Sequence, residues 1–79
     1  MKETVKNYIL NHTGSNVDIK DDQNLFETGA VSSIFAMQLI MFLEKQFQIK
    51  IVGEDLNFQN FSSIDNIDKF LQFKLGFTI

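Results

Sequence analysis

The chain has 79 residues, enough for one domain with a single modest core and too few for a substrate cleft with walls of its own. Its formal net charge of -3 at pH 7 disfavours a nucleic-acid partner and favours basic protein surfaces. Without cysteine there can be no disulfide, thiolate metal site or cysteine nucleophile, and one histidine does not make a structural zinc site.

The first residues, Met1-Lys2-Glu3-Thr4, run directly into a helical pattern. No basic start is followed by a long apolar segment, so neither a signal peptide nor a membrane span is expected, and the cytoplasm is the expected location. Val5, Ile9 and Leu10 recur at helical spacing with Tyr8 beside them, which predicts a first helix over 3–12. The turn formers from Asn11 to Ser15, Gly14 among them, end it. Residues 16–31 form a long polar connection punctuated by Val17, Ile19, Leu25 and Phe26, with Leu25 and Phe26 expected to anchor it in the core.

Ser32-Ser33 opens the strongest helical segment, 33–47, where Ala36, Leu39, Ile40, Leu43 and Phe47 share one apolar face. Ile49 and Ile51 are expected to pack inward, and Gly53 marks a turn. Asp55 to Phe61 has room for a short third helix or a single turn. Ser62-Ser63 precedes Ile64, Ile67, Phe70 and Leu71, again at helical spacing, predicting a last helix over 64–74 with Asp65 and Asp68 suited to its dipole. The tail Phe77-Thr78-Ile79 is expected to be loosely ordered. The pattern as a whole predicts an all-α fold: a small four-helix bundle with a long first connection and a short helix 3. It forms a single domain over 1–79, with its ordered core at about 3–74.

Few residues offer chemistry. His12 titrates near neutrality but sits near a helix end, where a solvated or capping role suits it better than catalysis. Asp21-Asp22 and Glu54-Asp55 read as solvated loop charges rather than as cation sites. There is no nucleophile–base–orienter set, no glycine-rich phosphate loop and no dinucleotide fingerprint. Two serines before a helix are ordinarily its cap.

The setting of those serines changes their reading. The segment Leu25-Phe26-Glu27-Thr28-Gly29-Ala30-Val31-Ser32-Ser33-Ile34 leads into Met37, Leu39, Met41, Leu43, Glu44, Phe47, Ile49 and Ile51. This resembles the attachment region of acyl and peptidyl carrier proteins, and the resemblance spans roughly Val5 to Leu71. It implies a non-catalytic carrier holding an acyl thioester on 4′-phosphopantetheine, which coenzyme A supplies through a phosphopantetheinyl transferase that provides Mg²⁺ and base. With Ser33 as the attachment residue, Ile34 takes the apolar position after the serine. Leu39, Leu43, Phe47 and Ile49 then fall on the family's helix-two positions. Glycine three residues earlier would allow Ser32, but that register breaks these matches together. Ser32, the flanking residue, replaces the family's usual Asp.

Ile34, Met37 and Met41 form a stripe offset from the core face, either extra core or a docking surface that Glu44 joins. Phe35, Gln38 and Lys45 stand where fatty-acid carriers commonly have acidic residues. The run Val31–Leu39 looks like discrete carriers for methoxymalonyl, hydroxymalonyl or aminomalonyl extender units. This implies polyketide or hybrid polyketide/nonribosomal peptide biosynthesis. Implied partners are acyl-loading and tailoring enzymes and the acyltransferase or condensing domains of a polyketide synthase. The expected state is a monomer with no membrane, nucleic-acid or metal partner. The alternatives are an aminoacyl or D-alanyl carrier, or a helical interaction module in which Ser33 is only a cap.

Overall fold

The computed structural model describes residues 1–14 and 18–76, and among these it is all-helical. Three α-helices, α1 (Lys2–Thr13), α2 (Ser33–Phe47) and α3 (Ile64–Leu75), agree with the predicted segments to within one residue at each end. The roles expected of Val17 and of the tail Phe77-Thr78-Ile79 lie outside the described residues.

α2 and α3 begin where serine side chains cap them. The Ser32 Oγ accepts from the Phe35 N–H (3.1 Å) at the start of α2, and the Ser63 Oγ accepts from the Asn66 N–H (3.0 Å) at the start of α3. Each satisfies one of the backbone donors that a helix start leaves without an internal partner. Glycine closes α3 at Gly76, with φ of 80°, whereas α2 closes on Gln48 at φ of 54°, a left-handed conformation that costs any residue with a Cβ.

The four-helix expectation requires correction. Between α2 and α3 the chain makes two 3-10 turns, Gly53–Asp55 and Phe58–Phe61, in place of the expected short α-helix. Local side chains explain the break. The Val52 N–H donates to Asp55 Oδ2 (3.3 Å), the Gln59 N–H donates to Asn57 Oδ1 (2.9 Å), and the Asn57 N–H donates to the Asp55 carbonyl (2.8 Å). Asp and Asn thus offer the backbone alternatives to the i→i−4 ladder at the place where a helix would need to propagate.

One core joins all these elements. Val5 and Ile9 of α1, Leu39 and Leu43 of α2, and Ile64, Ile67 and Leu71 of α3 are completely buried. Ile19, Leu25 and Ile51 join them from the connections, while Phe26, Ile40, Phe47 and Ile49 are packed against this core and only partly buried.

Phe35 also belongs to the core, although its position suggested a surface residue. Its ring stacks on His12 of α1 at a centroid distance of 3.7 Å, and Tyr8 stacks on Phe42 at 3.9 Å. Phe35 and Phe42 lie two turns apart on α2, opposite Tyr8 and His12 one turn apart on α1. Aromatic spacing on both helices was the available signal for this contact.

Candidate functional site

The long connection delivers the second helix to its place through an internal bond set. Asn24 Oδ1 accepts from the N–H groups of Phe26 (3.0 Å) and Glu27 (2.9 Å), and its carbonyl accepts from Thr28 N–H and Oγ1–H. Gln23 Nε2 donates to Thr28 Oγ1 at 2.8 Å. Gly29, at φ of 79°, makes the turn that a β-carbon would strain. The Val31 N–H then donates back to the Leu25 carbonyl, and the Leu25 N–H donates to the Ser62 carbonyl. Buried Leu25 and Val31 fix the loop from inside. The entry to α2 is therefore held by the core on one side and by the start of α3 on the other.

Two adjacent serines emerge there in different circumstances. Ser32 is the cap residue, and its Oγ is engaged with Phe35 N–H. Ser33 is the first helical residue, is exposed, and makes no side-chain hydrogen bond among the described residues. The surfaces they face also differ. Ser33 helps line an apolar groove of about 300 Å³ walled by Phe26, Met37, Ile40, Leu56, Phe58 and Phe61. Ser32 lines a more polar hollow with His12, Thr13, Gln23 and Thr28. The Phe58 and Phe26 rings meet edge to face with centroids 5.2 Å apart, which sets the distance between two of the groove walls. Leu56 and Phe58 were not singled out in the sequence, because their part depends on how the 3-10 turns fold over α2.

Ile34, Met37 and Met41 are 77%, 59% and 65% exposed, so the stripe is surface and not extra core. Glu44 is turned elsewhere: its Oε2 accepts from Ile51 N–H at 2.9 Å and holds the chain that follows α2. His12 stays exposed although its ring stacks on Phe35.

The expected solvated acids are more engaged than the sequence suggested. Asp21 stands 3.9 Å from Lys2 Nζ and 3.6 Å from Lys6 Nζ, and Lys2 also pairs with Asp65 at 2.9 Å. The hydrogen bond to Asp65 raises the Lys2 pKa above its ordinary value. Asp55 pairs with Lys74 at 2.8 Å, and that hydrogen bond, aided by Val52 N–H, lowers its carboxyl below the usual range. Among the described residues, no cluster of three or more metal-ligating side chains occurs.

The start of α2 thus exposes an unengaged hydroxyl beside an apolar groove. The family model described as Phosphopantetheine attachment site matches residues 3–71, and the chain belongs to that family. No curated protein and no solved structure matches it. The family attaches 4′-phosphopantetheine covalently, and its domains are carriers that meet phosphopantetheinyl transferases and biosynthetic enzymes. The residues here fit that group. The exposed Ser33 Oγ is available for a phosphodiester, and the first-turn N–H groups and partial positive charge of α2 suit its phosphate. No described helix is long and apolar enough to cross a membrane.

Proposed function

We propose that Ser33 carries the arm and that the domain is an acyl carrier for polyketide or hybrid polyketide/nonribosomal peptide biosynthesis in the cytoplasm. One observation carries the assignment: Ser32 Oγ is occupied by the helix cap, whereas Ser33 Oγ is unengaged and lies on the apolar groove. Inside the transferase, Ser33 Oγ attacks the phosphorus that bears pantetheine. A new O–P bond forms, the pyrophosphate bond breaks, 3′,5′-adenosine diphosphate leaves, and the serine proton passes to a base of the transferase. The attached arm supplies a thiol that holds the acyl group as a thioester. Tethering raises the cargo's effective concentration at each partner enzyme. Ile34, Met37 and Met41 lie along the helix that begins at the attachment residue and form the docking stripe.

The likeness of Val31–Leu39 to carriers of methoxymalonyl, hydroxymalonyl or aminomalonyl units supports that cargo class. Coexpression with a broad-specificity phosphopantetheinyl transferase, followed by intact-mass measurement and peptide mapping, tests the assignment. The arm is expected on Ser33, with Ser33→Ala remaining unmodified and folded. An arm mapped to Ser32 overturns the assignment, and a wild-type protein that stays unmodified overturns the function. Mass spectrometry of the protein from its native producer identifies the cargo. An aminoacyl or D-alanyl thioester there would replace the polyketide reading.

A further inference from the structure

Ser33 lines two cavities of opposite character. One is the apolar groove, and the other is a polar hollow of about 500 Å³ lined by Asn24, Glu27, Gln59, Ser62 and Asn66. Phe26 and Phe58 line both, so their edge-to-face pair is the partition between them. Two carboxamides in the hollow are each half-spent. Asn24 Oδ1 accepts from the Phe26 and Glu27 N–H groups, which holds the side chain and leaves its Nδ2 without a partner among the described residues. Asn66 is the converse. Its Nδ2 donates to the Gln59 carbonyl (3.1 Å) and to Ser62 Oγ (2.8 Å), and its Oδ1 is left over. The hollow therefore offers one anchored donor from the long connection and one anchored acceptor from α3. That is the complement of a secondary amide, whose carbonyl accepts and whose N–H donates.

We propose that the arm on Ser33 rests in this polar hollow, with one of its two amides bonded between Asn24 Nδ2 and Asn66 Oδ1, and not in the apolar groove. The seat serves the arm only if Ser33 is the residue that bears it. Entering the groove would strip the arm's amides of water and offer them only Asn57, whose Oδ1 is already taken by the Gln59 N–H. Asn24 and Asn66 are held by their other bonds, so seating the arm orders little that is not already ordered. Tethering keeps the arm at high local concentration, so a few hydrogen bonds suffice, and bonds this weak still release it to partner enzymes. The seat recognises the arm and not its cargo, so it serves every acyl state alike.

The test uses the holo protein with a nitrogen-labelled arm, prepared from labelled coenzyme A by the broad-specificity transferase. Nuclear Overhauser contacts of the arm's amide protons and their exchange with solvent are the readouts. Contacts to the Asn24 and Asn66 side chains are expected, with exchange about threefold or more slower than in free pantetheine. Asn24→Asp keeps the oxygen that holds the connection and replaces the Nδ2 donor with a second oxygen. It should stay folded by circular dichroism, lose those contacts and exchange at the free rate.

Contacts to Met37 and Leu56 in their place overturn the proposal, as does exchange at the free rate in the wild-type protein. An Asn24→Asp protein that keeps the slowed exchange overturns it equally. Should that variant unfold, the wild-type contacts and exchange decide alone. Peptide mapping of the same samples separates the two levels: an arm on Ser32 removes the site assignment whatever the contacts, whereas an arm on Ser33 that never touches the hollow removes only the seat.

Discussion

Ser32 and Ser33 are chemically identical and one residue apart, yet the backbone gives them separate tasks. Ser32 is extended, with φ of -87° and ψ of 168°, so its hydroxyl folds over the helix start. Ser33 is already helical and its hydroxyl faces outward. Ser32→Ala should therefore lower stability by about 1 kcal/mol, the usual loss for a helix cap, without moving the arm. Ser33→Ala should leave the melting midpoint nearly unchanged while removing the mass gain. Chemical denaturation and intact mass together check both.

Gln48 is the other residue whose conformation departs from its chemistry. It ends α2 in the left-handed region, where glycine sits without a Cβ clash. Replacing it with Gly relieves that clash and adds unfolded-state entropy. The net gain should be about 0.5–1 kcal/mol, seen as a higher denaturant midpoint. A lower midpoint would mean that the Gln48 side chain supports the turn.

At the scale of elements, α2 and α3 were legible from a serine cap and a sustained 3.6-residue apolar period, and α1 from its apolar spacing and the Gly14 that closes it. The segment from Gly53 to Phe61 was not, because Asp55 and Asn57 decide its backbone through short-range side-chain bonds that a periodicity ignores. Phe35 escaped for a different reason. Its place among positions commonly acidic in fatty-acid carriers pointed to the surface, whereas the aromatic side of α1 makes a buried edge there. Leu43 faces the common centre and Phe35 fills the α1–α2 seam. Leu43→Ala should cost about 2–5 kcal/mol and Phe35→Ala about 3–5 kcal/mol, measured by urea unfolding. A small effect at Phe35 would mean that His12 and Tyr8 close over the vacated space.

For the whole molecule, the register proposed for the arm rests on Ser33, Ile34, Leu39 and Leu43 moving together if the serine shifts by one. The groove beside Ser33 was not legible in the sequence, since Phe26, Met37 and Phe58 come from three separate stretches of chain. The same long-range folding creates the charge links. Lys2 and Lys6 of α1 hold Asp21 of the connection, Lys2 reaches Asp65 of α3, and Lys74 of α3 holds Asp55 beside the groove wall. Two of these groups give opposite pH signatures. The pKa of Lys2 is raised in the fold, so its contribution is complete below the unfolded value near pH 10.4 and is lost as pH rises through the folded value. The pKa of Asp55 is lowered, so its contribution is complete above the unfolded value near pH 3.9 and is lost as pH falls through the folded value. Lys74–Asp55 is the less exposed pair, with side chains 22% and 19% accessible, and should be screened less by salt than Lys2–Asp65. Asp55→Asn should therefore destabilise the domain by a constant amount between about pH 5 and 8. The gap from wild type should shrink as pH falls below about 4, where wild type protonates the same carboxyl. Urea midpoints across that range, at low and high salt, measure it. A gap that stays constant down to pH 2 would show that Asp55 acts through its hydrogen bonds alone and not through its charge.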